Sequence, residues 1–236
     1  MPQACPEFDQ PFVVIGHRGA AGHEPENTLR SFARAVEMGA HAIELDVFLL
    51  EGELVVIHDD SLERTTNGTG KLAEHTLSAV RSLDAGAGER VPLLCEVLFA
   101  IDGAVGINVE LKGEGTGARL VAYLKEHDHD GAGILASSFR HAELAAHREA
   151  GGSCPLGLLF GRSAEGLFER AEALDPYAVH LSVRLATSAL VDRIHERGTR
   201  VFVYTVNELD VLKRMRDAGV DGVFSDYPDR ILSALR

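Results

Sequence analysis

Tryptophan is missing from the 236 residues, and cysteine and methionine occur three times each. Cys5, Cys95 and Cys154 are odd in number and lack metal-ligand spacing, which argues against a disulfide framework or a cysteine-based zinc site; reduced, structural thiols are expected. No apolar run approaches the roughly 20 residues that span a bilayer. The opening MPQACPEFDQPF has neither the basic start nor the apolar stretch of a signal peptide. Both features predict a cytoplasmic protein without stable membrane insertion. Basic side chains are in the minority, 23 against 36 acidic ones, for a net charge of −13. That excludes a broad electrostatic footprint for nucleic acid, so any anionic substrate must be recruited locally. No G-x-G-x-x-G follows the first apolar run, which argues against a dinucleotide-binding sheet.

What is present is rhythm. Short β-branched runs, FVVIGHR, AIELDV, GINVELK, GILASS, PLGLLF, AVHLSV, RVFVYTV and DGVFSD, alternate with amphipathic helix patterns. In ENTLRSFARAVEMG, Leu29, Phe32, Ala33 and Val36 mark the expected buried stripe and Gly39 the stop. TSALVDRIHERG places Thr187 as an N-cap and Gly198 at the end. From Ile107 onward the strands recur about every 21 to 26 residues, one βα unit each. Eight strands predict an α/β fold, a closed (β/α)8 TIM barrel formed as a single domain over residues 1–236. One interval of about 65 residues, from Ala42 to Ile107, is too long for one unit. There, LLEGEL predicts a turn at Glu51-Gly52 and a hairpin that sets Asp46 opposite His58. Hairpin and small insertion, residues 47–105, are expected over the barrel mouth.

Chemistry concentrates at strand ends. Glu44 and Asp46 share one strand face, as do Glu110 and Lys112, and His17 and Arg18 close the first strand. All lie at the C-terminal strand ends, where barrel active sites are built. Simple salt bridges to Arg18 and Lys112 are one reading of the acids. Yet three carboxylates against two cations leave an uncompensated charge, which is costly to bury. A divalent cation together with a phosphodiester anion brings the set to neutrality. Oxygen-only ligation by Glu44, Asp46 and Glu110 suits Mg²⁺ or Ca²⁺ rather than zinc. Of the 11 histidines, His17 and His58 read as a general acid/base pair. His180 is a candidate for lining the mouth, and the remaining eight are read as surface or satisfied core residues. RTTNGTG is either a plain turn or a pocket-closing loop, and Tyr204 in YTVN either lines the site or fills the core. Asn207 is expected to cap the helix that follows. Gly19 and Gly22 permit close backbone approach.

At HRGAAGHEPENTL, ELDV, VVIHDDSLERTTNGTG, VELK and YTVN, in order from His17 to GVDGVFSDYPD, the sequence resembles the glycerophosphodiester phosphodiesterases, in particular the compact bacterial cytosolic type. The resemblance implies a (β/α)8 barrel with a small insertion after the second strand. It implies His17 and His58 as catalytic residues, Glu44, Asp46 and Glu110 as metal ligands, and Arg18 and Lys112 as phosphate-binding cations. The implied reaction is metal-dependent hydrolysis of small glycerophosphodiesters, such as glycerophosphocholine or glycerophosphoethanolamine, to glycerol 3-phosphate and an alcohol. In the family's proposed mechanism the glycerol 2-hydroxyl attacks phosphorus to give a cyclic phosphate that water opens. Tyr204 stands where many relatives carry Trp. Alternatives are a phosphodiesterase acting on lysophospholipid or phosphoinositide head groups, and a non-catalytic glycerophosphodiester-binding barrel, for which the full complement of histidines and acids gives no support.

Overall fold

A computed structural model describes residues 6–236; Cys5 lies outside the described residues. Strand and helix alternate in the expected order. The strands are β1 (Val13–Gly16), β2 (Ala42–Leu50), β3 (Glu53–Val56), β4 (Gly106–Leu111), β5 (Ile134–Ser138), β6 (Leu156–Phe160), β7 (Ala178–Ser182), β8 (Arg200–Tyr204) and β9 (Gly222–Ser225). Each of β4 to β9 is followed by one helix: α4 (Thr116–Glu126), α5 (His141–Glu149), α6 (Leu167–Leu174), α7 (Ser188–His195), α8 (Leu209–Asp217) and α9 (Pro228–Leu235). The first two units carry α1 (Leu29–Glu37) and α3 (Leu94–Ile101), and the short α2 (Leu77–Arg81) lies in the insertion between β3 and α3. Among the described residues, eight strands pair in parallel around a closed circuit, with β1 bonded to both β2 and β9; β3 pairs antiparallel with β2, outside the circuit. This is the (β/α)8 barrel with an insertion after its second barrel strand.

The period of two decides what the barrel encloses. Val13 and Ile15 of β1, Ala42 of β2, Leu135 of β5, Ala178 of β7, Phe202 of β8 and Phe224 of β9 form the inner apolar cluster. Phe8 joins it from the N-terminal segment. The alternate residues Val14, Ile43, Leu45, Val109, Val179 and Val223 pack outward in the larger cluster with the helices. Continuing the inward parity toward the C-terminal ends gives His17, Glu44 and Asp46, Asn108, Glu110 and Lys112, His180, Tyr204 and Asp226. Alternation alone therefore aims these polar groups at one end of the barrel.

Helix termini follow local chemistry. Thr28 and Thr187 cap α1 and α7, accepting from the N–H groups of Ser31 and Leu190, and Gly198 adopts φ +72° beyond α7. The buried face of α1 differs from expectation: Ser31, Phe32 and Ala35 are buried, Ala33 is exposed, and Leu29 and Val36 are half-buried. Close approach explains the rotation. A Cβ on Gly19 would fall 2.4 Å from Ser31 Oγ, and one on Gly16 2.9 Å from Ala35 Cβ. Small side chains, not the most apolar ones, face the barrel where helix and first turn touch.

The hairpin register is offset from the expected one. Glu51 and Gly52 both take positive φ, +49° and +87°, the geometry of a two-residue type I′ turn. Leu50 therefore pairs with Glu53 and Val47 with Val56, and the Ile57 N–H reaches the Asp46 carbonyl at 3.0 Å. Ile57, not His58, is level with Asp46, because the turn centres between Glu51 and Gly52. His58 enters the mouth from the loop beyond β3. The insertion packs its own small cluster, including Ile57, Leu62, Leu72, Val80 and Val91. Among the described residues, Cys95 and Cys154 are free thiols.

Candidate active site

Adjacent strands bring the acids together. Asp46 of β2 is paired in register with Glu110 of β4, and Glu44 lies one inward step below Asp46. One carboxylate oxygen from each of the three lies within 4.8 Å of the others, and all three side chains are buried. Arg18, held at φ +51°, turns its main-chain N–H onto Glu44 Oε2 at 2.8 Å. Asn27, at φ +58°, donates its amide to Asp46 Oδ2 at 2.9 Å. Two non-glycine residues in the left-handed region within one cluster mark a backbone arranged around these carboxylates.

Both expected cations lie against the acids. Lys112 Nζ is 2.9 Å from Glu110 Oε1 and 3.4 Å from Asp46 Oδ1. Arg18 Nε is 3.5 Å from Asp46 Oδ2, and its Nη1 donates to Glu26 Oε1 at 2.8 Å. These ion pairs do not saturate the cluster: Asp46 Oδ1 and Arg18 Nε are buried and have no hydrogen-bond partner among the described residues. Burial, with Asp46 and Glu110 nearby, holds Glu44 well above the ordinary carboxylate range. Burial and Asp46 push Glu110 up to about 7. Burial would raise Asp46 too, but Lys112, Arg18 and His58 outweigh it and hold that group below its usual value. A surplus of buried carboxylate, an orphaned oxygen and hard oxygen donors fit a divalent cation. Salt bridging to Arg18 and Lys112 alone leaves that surplus in place.

Each histidine is held at Nδ1 by a carboxylate. His17 Nδ1 is 2.7 Å from Asp226 Oδ1, and His58 Nδ1 is 2.5 Å from Asp59 Oδ1. Burial, reinforced by Arg18 and Lys112, lowers the His58 pKa against the opposing pull of Asp46 and Asp59. Asp226 stays below its usual value: burial would raise it, but the His17 and Asn207 contacts prevail. His17, Arg18, Glu44, His58 and Glu110 border one cavity of about 210 Å³, whose other wall is apolar: Phe139, Leu159, Tyr204 and Phe224. Lys112 borders the adjoining groove, which shares His58.

Tyr204 both lines this cavity and is anchored, its hydroxyl donating to the Phe160 carbonyl at 2.9 Å. His180 borders the same cavity from within the barrel, fully buried against Phe202 and Phe224. A Cβ on Gly157 would come within 2.7 Å of its ring, so glycine makes the room. Asn207 does not cap α8; Glu208 occupies that position. Instead its Oδ1 accepts from the Asp226 N–H at 2.9 Å and its Nδ2 donates to Asp226 Oδ2 at 2.6 Å. The residue is spent on a carboxylate that sequence reading overlooked. Asp226 continues the inward parity of Phe224, and Asp59 follows His58 directly, so both signals were present in the chain. Glu26 and Asn27 carry no such periodic signal, because they sit in the loop before α1. RTTNGTG, residues 64–70, forms a turn braced by Asn67 Oδ1, which accepts from the Asp84 N–H at 3.0 Å, and its first residue reaches toward the site, Arg64 Nη1 donating to Glu26 Oε2 at 2.7 Å.

Fold and site define a (β/α)8 barrel with an acidic, cation-flanked centre at the C-terminal ends of its strands. Comparison with known proteins agrees. A model of the glycerophosphoryl diester phosphodiesterase family matches residues 17–230. A glycerophosphodiester phosphodiesterase of Caldanaerobacter subterraneus subsp. tengcongensis is 35% identical, covering 95% of this chain and 98% of that protein. One from Bacillus subtilis is 32% identical over 92% of this chain and 84% of that protein. Among solved structures, an Oleispira antarctica phosphodiesterase in complex with the product sn-glycerol-3-phosphate superposes with a TM-score of 0.90 at 32% identity, covering 97% of this chain and 98% of that one. The chain belongs to the glycerophosphoryl diester phosphodiesterase family and is a phosphoric diester hydrolase. No helix among the described residues is long and apolar enough to cross a membrane.

Proposed function

We propose that this chain hydrolyses small glycerophosphodiesters, of the glycerophosphocholine and glycerophosphoethanolamine type, to glycerol 3-phosphate and the free alcohol. The observation that carries the reading is the placement of two carboxylate-held imidazoles on one cavity with Glu44 and Glu110, two members of the buried three-acid cluster that Asp46 completes. Glu44, Asp46 and Glu110 would hold one divalent cation, Mg²⁺ or Ca²⁺, which when bound supplies positive charge for the phosphoryl oxygens. Arg18 and Lys112 add fixed charge beside it. The hairpin and insertion, residues 47–105, carry His58 to the mouth.

With Nδ1 committed to a carboxylate, each histidine turns Nε2 to the substrate. One imidazole removes the proton of the glycerol 2-hydroxyl as its oxygen bonds to phosphorus. The other, protonated, donates to the departing alkoxide as its P–O bond breaks. The roles then reverse: water loses a proton to the second histidine, adds to phosphorus, and the ring-opened hydroxyl recovers the proton held by the first. The glycerol 3-phosphate complex of the Oleispira relative supports this product. The test is glycerol 3-phosphate release from glycerophosphocholine by the native chain, His17→Ala and His58→Ala. Both variants should stay folded and lose turnover; native turnover by either removes that histidine from the mechanism.

A further inference from the structure

We infer that Arg64, in the insertion, is a positioning residue that ties His58 and Arg18 into one unit. Its guanidinium spans two carboxylates. Nη1 and Nη2 form a bidentate pair with Glu26, at 2.7 and 2.9 Å, and Nε donates to Asp59 Oδ2. Each carboxylate spends its other contact on the site: Asp59 Oδ1 holds His58 Nδ1 at 2.5 Å, and Glu26 Oε1 holds Arg18 Nη1 at 2.8 Å. The result is a continuous chain, His58–Asp59–Arg64–Glu26–Arg18. It joins the loop beyond β3 to the turn after β1, segments 38 residues apart at Arg64 and Glu26.

Charge explains why a guanidinium belongs there. Arg18 and Arg64 balance Glu26 and Asp59, so the chain is neutral while His58 is neutral. Without Arg64, Glu26 keeps Arg18, while Asp59 keeps only its contact to His58. Planar, five-donor geometry lets one side chain satisfy both acids at once, which a lysine ammonium cannot copy. Arg64 is 45% exposed, so its ion pairs contribute little to folding stability. Its value is geometric, since a misplacement of about 1 Å in a reacting group can cost about 100-fold in rate. This also gives the insertion a role in the site beyond delivering His58.

The inference rests on the proposed roles of His58 and Arg18, and the experiment separates the two. Arg64→Gln and Arg64→Lys are assayed for kcat, KM, Mg²⁺ affinity and thermal midpoint, beside His58→Ala and Arg18→Ala. Arg64→Gln should lose about 10- to 100-fold in kcat with Mg²⁺ affinity unchanged. Arg64→Lys should recover only part of the loss, and added methylguanidinium should partly rescue Arg64→Gln. Asp59→Asn and Glu26→Gln should be non-additive in the native background and additive once Arg64 is removed. Native kcat and KM in Arg64→Gln, with His58→Ala and Arg18→Ala inactive, overturns the role of Arg64 alone. Turnover by His58→Ala or Arg18→Ala overturns the underlying reading. If Arg64→Gln does not fold, Arg64→Lys decides: reduced kcat supports the inference, and native kcat and KM refutes it.

Discussion

Replacing Asp226 by asparagine changes one atom's chemistry and almost no volume, so its effect follows from hydrogen-bond direction. The Asn207 amide is fixed, because its Oδ1 accepts from the Asp226 and Ser225 groups while its Nδ2 donates to Asp226 Oδ2 at 2.6 Å. An asparagine at 226 must therefore present its oxygen to Asn207 and its NH₂ to His17. His17 Nδ1, now facing a donor, becomes the acceptor, and the ring proton moves to Nε2. The substrate-facing nitrogen then carries a proton in the half-reaction where His17 must act as base, whichever of the two that is. Losing a charge-assisted bond of 2.7 Å is worth about 1.5–3 kcal/mol, roughly 10- to 150-fold in rate. Tautomer inversion adds to this; the comparable change in a Ser-His-Asp triad lowers kcat by about ten-thousandfold. Asp226→Ala frees the ring but does not force the wrong tautomer, so it should be the more active variant. Steady-state release of glycerol 3-phosphate, with metal titration and circular dichroism as controls, gives the answer. Native kcat in Asp226→Asn, or an asparagine variant clearly more active than the alanine one, refutes the reasoning.

Glu44→Gln should raise the metal dissociation constant by about tenfold or more, since a lost ligand ought to match at least the outer-shell losses of 10- to 100-fold; calorimetric titration measures it. His147 is fully buried, and burial brings its pKa down to about 4. The unfolded chain takes up this proton below about pH 6.5 while the folded chain resists until about 4, so stability falls as pH falls through that window. The slope is about 1.4 kcal/mol per pH unit and the total on the order of 3 kcal/mol. Urea unfolding from pH 7 to 4.5 should show the decline, and His147→Gln should reduce it by that amount, leaving the part due to His180, which burial brings down to about 3. Gly19→Ala places a Cβ at φ +85°, 2.5 Å from the Ser31 backbone. Positive-φ strain and overpacking together should destabilise by about 2–4 kcal/mol, read from the denaturation midpoint.

Alternation carried most of the fold into the sequence. Strands buried on both faces read as continuous apolar runs, and polar residues breaking those runs at Glu44, Asp46 and Glu110 stood out because burial of charge demands a reason. The long interval after β2 announced the insertion. Three features were not legible. The inward face of α1 was hidden because close packing against Gly16 and Gly19 selects small residues over apolar ones. The hairpin centre falls half a residue before Gly52 because Glu51 adopts a left-handed backbone, φ +49°, that its residue type does not announce. Asn207 looked like a cap because its spacing from α8 suits one; its partner Asp226 lies on the next barrel strand end, 19 residues away, which no local pattern reveals.

The most direct measurement is glycerol 3-phosphate release from glycerophosphocholine by the purified chain, stripped with EDTA and then supplied with Mg²⁺ or Ca²⁺. Turnover lost on stripping and restored by either ion is the expected result. Release that persists undiminished in excess EDTA contradicts the metal role of Glu44, Asp46 and Glu110, and a folded, metal-loaded chain that releases nothing contradicts the proposed substrate.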